Sequence, residues 1–211
     1  MKREQQKFIK DLNKRIPNDL KDLCKKYNFK FAYSHLYRFE GDFVYTAIVD
    51  IRPEYYEDLY VSLFIKPWIL NETYWKVQKI NMEKMQSQPK TFHFRGAFTI
   101  NDIKYESYRI PYDKDNFGIS LENALQDIEK RISNHQIILN SVNVLLEEPT
   151  DYKVSNLSKA IICIYNEDYE KALKYLNECT EKKNKDVYVH VDSNGKAAIE
   201  YAFEYCNGKL V

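Results

Sequence analysis

The chain has 211 residues, and its 32 Lys plus Arg against 31 Asp plus Glu leave a formal net charge of +1. This balance creates no overall field that would attract nucleic acid or anionic lipid, whose binders usually carry a clear basic excess. Hydrophobic residues make up 44% of the chain, enough to fill the core of one large domain or two small ones. We therefore expect a globular protein that does not have nucleic acid as a partner.

Four cysteines are scattered along the chain without a CxxC motif or zinc-like spacing, which predicts reduced, buried thiols. They are Cys24, Cys163, Cys179 and Cys206. The charged N-terminal segment is followed by no apolar stretch, and no run approaches the roughly 20 apolar residues that a membrane span needs. These features predict a cytoplasmic protein with no membrane partner.

Residues 3–27 predict an amphipathic helix, because apolar side chains recur there at spacings of three and four. The stripe consists of Phe8, Leu12, Ile16, Leu20 and Leu23. Pro17 lies inside it, and proline in a helix interior removes a backbone donor and clashes with the preceding turn. We expect either a kink at this position or two short helices.

Residues 29–39 predict one long strand, because aromatic side chains occupy every second position. A second strand over 43–51 follows the segment 40–42, which fits a three-residue hairpin loop. In that register Tyr37 faces Tyr45 on a single side of the sheet. The two strands therefore predict a hairpin with one aromatic-rich face.

Further strands are predicted at 58–66 and in a second hairpin over about 92–110, whose turn is Asn101-Asp102. The intervening residues 68–86 fit a helix or an irregular crossover. Together with the first hairpin, these elements predict an antiparallel sheet of about five strands, made of two hairpins and a meander strand.

From residue 120 the apolar residues follow a helical rhythm up to 147, the longest helix of the chain. Helices at 154–165 and 167–182 follow, then a short strand near 187–191. A last helix ends at Asn207-Gly208, which fits a C-terminal cap. The second half is therefore predicted to be mainly helical.

The predicted fold class is α+β, with the sheet covered by the N-terminal helix and the long central helix. We divide the chain into residues 1–117, which hold the first helix and the sheet, and a mainly helical region, 118–211. A polar stretch at 111–119 marks the seam. The two regions are expected to pack as one compact unit.

Residues 165–176 look like the turn and second helix of a tetratricopeptide repeat, in which the small Ala172 permits close helix packing. The pattern occurs once, whereas functional arrays need about three stacked repeats to bury their faces. An ordinary helical hairpin explains the segment equally well.

Motifs that position a phosphate or a nucleophile are missing, including GxGxxG, GxxxxGK[ST], GxSxG and HExxH. His35, His93 and His135 have no carboxylate or nucleophile nearby in sequence, so we interpret them as structural. His190 and Asp192 would share one strand face and could hold a divalent cation, but two ligands do not make a site. We predict no catalytic residue and no cofactor, and we assign no metal ligand.

Basic and aromatic residues interleave in the predicted second hairpin, where Arg95 would lie opposite Tyr108, next to Arg109. Such a pattern is typical of a platform on which nucleic-acid bases stack. A cross-strand cation–π pair explains it without any ligand.

The candidate partner-binding site is the acidic segment Glu54, Tyr55, Tyr56, Glu57 and Asp58, because tyrosines often anchor interfaces and acidic side chains steer a basic partner. A plain solvated turn is the alternative interpretation. The leading hypothesis is a non-catalytic bacterial protein-interaction module, either an adaptor or a toxin-neutralising partner. The alternative is a small-molecule-binding protein or enzyme with a pocket between the sheet and the C-terminal helices.

Overall fold

The structure is a computed structural model that describes most of the chain. The described residues are 3–95, 99–138, 141–147, 154–181 and 195–211. The fold is α+β, as predicted, with a five-stranded antiparallel sheet in the order β1-β2-β3-β4-β5. The strands are β1 (Lys30–Ala32), β2 (His35–Glu40), β3 (Phe43–Asp50), β4 (Asp58–Lys66) and β5 (Ile103–Pro111).

The α-helices in the described part of the chain precede β1, separate β4 from β5, or follow β5. They are α1 (Arg3–Leu23), α2 (Asn71–Val77), α3 (Met82–Gln86), α4 (Phe92–Arg95), α5 (Phe117–Ile138), α6 (Asn156–Tyr165), α7 (Tyr169–Glu181) and α8 (Ala198–Leu210). Short 3-10 helices occupy Cys24–Tyr27, Pro53–Tyr55, Trp68–Leu70 and Val142–Leu146.

Contacts divide the chain into two compact units. The first unit comprises Met1–Ile65 and Lys104–Asn140, and the second comprises Lys66–Ile103 and Ser141–Val211. These units do not follow the predicted division into residues 1–117 and 118–211, because each unit takes segments from both halves. The sheet belongs mainly to the first unit, and the segment between β4 and β5 belongs to the second.

Helix α1 is continuous through Pro17, so the alternative of two short helices is wrong. Its apolar stripe buries Ile9, Ile16 and Leu20, and the helix contacts β1, β3 and α5. The Asn13 side chain donates to the backbone oxygen of Ile51 and accepts from its N–H, both at 2.8 Å. This double hydrogen bond holds α1 at the end of β3.

The predicted single strand over 29–39 is wrong, because the chain reverses at Tyr33-Ser34 and forms β1 and β2. Ala32 pairs with His35 across this two-residue turn, and Tyr33 and Ser34 have φ angles of 53° and 62°. Two-residue hairpin turns with positive φ at both central residues usually contain Asn or Gly. Neither residue carries that signal, so the aromatic alternation predicted a continuous strand.

Replacing Ser34 with glycine and Tyr33 with asparagine is expected to stabilise the first unit by about 1 kcal/mol, because both new residues tolerate positive φ better. Urea denaturation followed by circular dichroism measures the change. Ser34→Ala is the control and should not stabilise. Equal free energies of unfolding for Ser34→Gly and Ser34→Ala would contradict the argument from backbone strain.

The predicted register of the β2–β3 hairpin is also wrong. Glu40 pairs with Phe43 and Arg38 with Tyr45, so the connection is the two-residue turn Gly41-Asp42. Gly41 has φ of 52°, the sign that the first residue of a primed turn requires. This shift by one residue puts Tyr37 and Tyr45 on opposite faces of the sheet, because strand side chains alternate.

The predicted second hairpin does not form among the described residues. Phe92–Arg95 is helix α4, residues 96–98 lie outside the described part, and β5 pairs with β4 and not with a strand before residue 101. Asn71 donates to the His93 carbonyl oxygen at 3.1 Å and accepts from the Ile100 N–H at 3.1 Å. These contacts with Asn71 of α2 hold the segment as a helix and a loop, in place of the strand that its alternating sequence predicts.

Two predicted helix ends also differ. Helix α5 reaches Ile138, whereas Val142–Leu146 is a separate 3-10 helix preceded by an extended Ser141, so the predicted single helix to 147 is wrong. Helix α8 continues through Asn207-Gly208 to Leu210. The predicted strand near 187–191 lies outside the described residues.

Helices α6 and α7 form a helical hairpin in the second unit, with Ala172 fully buried. Glu167, in the connection, has φ of 60°, and the Asp168 carboxylate accepts from the Lys171 N–H at 3.1 Å. Cys24, Cys163, Cys179 and Cys206 are all buried, and none forms a disulfide within the described part of the chain.

Candidate functional site

The predicted partner-binding segment, residues 54–58, runs from the 3-10 helix Pro53–Tyr55 to the start of β4. Tyr55 is 40% exposed, and Glu54 and Glu57 are exposed beside it. Tyr56 and Asp58 are half-buried. The segment is therefore a surface turn in which one aromatic ring and two carboxylates project outward.

Tyr55 is part of a stack of planar groups. Its ring lies parallel to that of Tyr60, with centroids 6.2 Å apart and an interplanar angle of 11°. The Arg52 guanidinium lies 3.4 Å from the Tyr60 centroid, and the Arg109 guanidinium lies 4.5 Å from the Tyr55 centroid. We call Arg52, Tyr55, Tyr60 and Arg109 the arginine–tyrosine stack. Cation–π contacts at partly exposed sites contribute about 0.5–1 kcal/mol each, so the stack holds Tyr55 in place.

Both arginines of the stack are paired with carboxylates. Arg109 lies 3.7 Å from the Asp58 carboxylate, and Arg52 lies 3.4 Å from that of Asp50. The side-chain hydrogen bond with Ser107 lowers the pKa of Tyr60, with smaller contributions from nearby positive charges. The positive charges of the stack are thus balanced locally.

Tyr56 contributes through its backbone. The Tyr112 hydroxyl donates to the Tyr56 carbonyl oxygen at 2.9 Å, and the Tyr112 N–H donates to that of Glu57 at 3.4 Å. These bonds tie the turn to the residue that follows β5. Tyr56 therefore supports the turn, while Tyr55 is the residue that the turn presents.

The structure divides the five predicted site residues into three groups. Tyr55 belongs to the arginine–tyrosine stack, and Asp58 pairs with Arg109 of that stack. Glu54 and Glu57 form an acidic rim. Tyr56 supports the backbone of the turn. Sequence reasoning missed Arg52, Tyr60 and Arg109. One signal was available in the sequence. Asp58 and Tyr60 are two positions apart on the predicted strand, and strand residues two apart share a face, so Tyr60 could have been placed beside the site.

The pair predicted between Arg95 and Tyr108 does not exist, because Arg95 lies on α4 and not on a strand paired with β5. The Arg131 guanidinium lies 3.8 Å from the Tyr108 centroid and also binds the carboxylates of Glu106 and Asp127. Desolvation raises the pKa of Tyr108, and the contact with Asp127 adds to the effect. Tyr108 is thus part of the packing between β5 and α5.

His135 lies on the inner face of α5, where its ring stacks on Tyr105 at 4.1 Å and meets Tyr45 edge-on at 5.8 Å. Burial lowers its pKa to about 4. His35 is buried, with its Nδ1 2.7 Å from the Tyr33 carbonyl oxygen. Both histidines are buried, and their contacts favour the interpretation as structural.

His93 lies in the second unit between Trp68 and Trp75, with both ring centroids 5.5 Å away. Its Nδ1 is 3.2 Å from the Asn71 amide nitrogen, and desolvation lowers its pKa. These contacts also favour a structural role.

Lys66 is a buried cation in the second unit, with its side chain 6% exposed. Its ammonium donates to the Phe94 carbonyl oxygen and the Thr99 hydroxyl, both at 3.0 Å, and lies 3.2 Å from the Asp102 carboxylate. Burial lowers its pKa, while Asp102 acts in the opposite direction. Because an ammonium has three protons and these groups offer three acceptors, Lys66 is a structural clamp on the segment before β5.

Within the described residues, no group of three or more His, Cys, Asp and Glu side chains is arranged to hold a metal ion. His190 and Asp192 lie outside those residues. The helices that the structure describes include none long and apolar enough to cross a membrane.

No protein-family model, curated protein or solved structure matches this chain.

Proposed function

We propose that the protein is a non-catalytic protein-interaction module that docks a basic protein partner through the turn at residues 54–58 and the adjoining arginine–tyrosine stack. The observation that supports this proposal is Tyr55, a large aromatic side chain that is exposed and yet held by Tyr60 and Arg109. An aromatic ring that is already ordered loses little conformational freedom on binding. Tyrosine and arginine are also enriched among the residues that contribute most to interfaces.

The charges around Tyr55 favour a basic partner. Arg52 and Arg109 are paired with Asp50 and Asp58, as described above, whereas Glu54 and Glu57 form no ion pair within the residues that the structure describes. An exposed pair of carboxylates beside an aromatic anchor attracts a positively charged surface and speeds its association.

The stack is less suited to nucleic acid. A base that stacks on a tyrosine needs a free ring face. Arg52 covers one face of Tyr60, Arg109 covers one face of Tyr55, and the two rings also stack on each other with centroids 6.2 Å apart. The acidic rim would also repel the phosphate backbone, so the same geometry supports a protein partner. An adaptor or a toxin-neutralising partner in the cytoplasm of a bacterium is the form of module that we propose.

Tyr55→Ala is expected to weaken binding of the basic partner at least tenfold while leaving the fold intact, because a central aromatic anchor can contribute about 2 kcal/mol or more to binding. The partner is identified by affinity capture with the wild-type protein, and the dissociation constant is measured by calorimetry. Tyr165→Ala is the matched control, since Tyr165 is a tyrosine of similar exposure, 42%, on α6 of the second unit. Equal affinities of the two variants would remove Tyr55 from the interface.

Neutralising the rim with Glu54→Gln and Glu57→Gln should mainly slow association. The difference from wild type should shrink as salt is added, because exposed charges are screened. Surface-based kinetics at two ionic strengths measure both effects. An unchanged association rate at low salt, or capture of only acidic partners, would contradict the proposal.

A further inference from the structure

A groove of about 590 Å³ lies along α1, where this helix passes the end of β3. Its apolar floor is formed by Ile9, Ile51 and Pro53. Lys10 and Lys14 line it from α1, four residues apart and therefore on one face of the helix. The groove thus combines an apolar floor with a positively charged rim.

The floor is ordered before any ligand binds. Ile9 and Ile51 are buried, and the two hydrogen bonds between Asn13 and the Ile51 backbone join the two sides of the groove. Lys10 and Lys14 are exposed, and neither forms an ion pair within the described part of the chain. The charges of these two lysines are therefore available to an anion in the groove.

We infer that this groove binds a small amphiphile with an apolar tail of medium length and one carboxylate head, such as a free aliphatic carboxylate. The volume lies within the range of about 300–1,000 Å³ that is usual for small-molecule sites. The apolar floor selects the tail, and the two lysines select a negative head over a neutral or positive one. The groove adjoins the turn at residues 54–58, because its lining residue Pro53 belongs to the same 3-10 helix as Tyr55, but its occupant differs from the basic protein partner proposed above.

The test compares three probes on the full chain at low salt, below the concentrations at which amphiphiles form micelles. Decanoate is expected to bind saturably and to shift the NMR amide signals of Ile9, Asn13 and Ile51. Decyltrimethylammonium, which has the same tail and the opposite charge, should bind at least tenfold more weakly. Acetate, which has the head without the tail, should give no saturable binding.

Two double variants test the contribution of the rim. Lys10→Ala with Lys14→Ala should weaken decanoate binding about five- to tenfold, because two exposed cations each contribute up to about 1 kcal/mol. The same variant should bind decanol, which has a neutral head, as the wild type does. Lys171→Ala with Lys174→Ala removes the same charge from exposed positions of α7, outside the groove lining, and should leave decanoate binding unchanged.

A third variant tests whether an added cation strengthens decanoate binding. Gln6 also lines the groove, one turn before Lys10. Gln6→Lys should tighten decanoate binding about twofold to fivefold, since it adds a third cation to the same helix face.

Three results would overturn the inference. They are the absence of saturable decanoate binding to the wild type, amide shifts confined to other parts of the chain, and equal weakening by the two lysine double variants. Circular dichroism of each variant separates lost binding from lost folding. The comparison of probes on the wild type needs no variant, and none of these results bears on Tyr55 and the basic partner.

Discussion

Ile128→Asp is expected to unfold the first unit or to lower its free energy of unfolding by several kcal/mol. Ile128 lies on the inner face of α5 with 0% of its surface exposed. An ionised carboxylate there would lose its hydration without gaining a partner, and the cost is on the order of a domain's whole stability of about 5–15 kcal/mol. Loss of the Ile128 side chain would also leave an unfilled space in the core.

Thermal and urea denaturation followed by circular dichroism measure this effect. Asn123→Asp is the matched control, because Asn123 is exposed on the same helix and the substitution adds the same charge. Its transition should differ from that of the wild type by less than about 0.5 kcal/mol, as is usual for surface substitutions. An unchanged midpoint for Ile128→Asp would show that this face of α5 is not buried in solution.

His135 is expected to make the first unit less stable as the pH falls from about 6.5 to about 4. Burial against Tyr45 and Tyr105 lowers its folded-state pKa to about 4, and only 8% of the residue is exposed. The unfolded chain takes up a proton near pH 6.5, whereas the folded chain does so only near pH 4. Its contribution is therefore fully present above pH 6.5 and is lost by pH 4, and it amounts to about 3 kcal/mol.

The measurement compares the wild type with His135→Phe, which keeps an aromatic ring and cannot titrate. The free energy of unfolding is determined by urea titration at half-unit steps between pH 4 and pH 7. The carboxylates common to both proteins cancel in the difference. The wild type should lose up to about 1.4 kcal/mol per pH unit more than the variant in this range. A difference that does not change with pH would show that folding does not lower the pKa of His135.

The candidate site shows which features local sequence patterns can predict and which they cannot. Composition and charge marked residues 54–58 as a surface turn with aromatic and acidic side chains, and the structure places Tyr55, Glu54 and Glu57 on the surface. The partners of Tyr55 were not predictable. Arg109 is more than 50 positions away in sequence, and its place beside Tyr55 depends on how β5 pairs with β4. No local pattern encodes that pairing.

The errors in the predicted strands have a related cause. An alternation of period two shows that a segment can form a strand, but it does not show where the strand ends or which residue it faces. Tyr33 and Ser34 interrupt an aromatic alternation without Asn or Gly, so the turn between β1 and β2 left no signal. At Phe92–Arg95 the alternation was misleading, because hydrogen bonds to Lys66 and Asn71 hold that segment as a helix and loop.

Sequence periodicity predicted the α+β class, the amphipathic helix α1, strands β3 and β4 and the buried stripe of α5, because each depends on a pattern contained within one segment. Local patterns did not reveal the hairpin registers, the formation of helix α4 in place of the predicted strand, the arginine–tyrosine stack or the groove beside α1. Each of these depends on side chains from distant segments whose contacts outweigh weak local preferences.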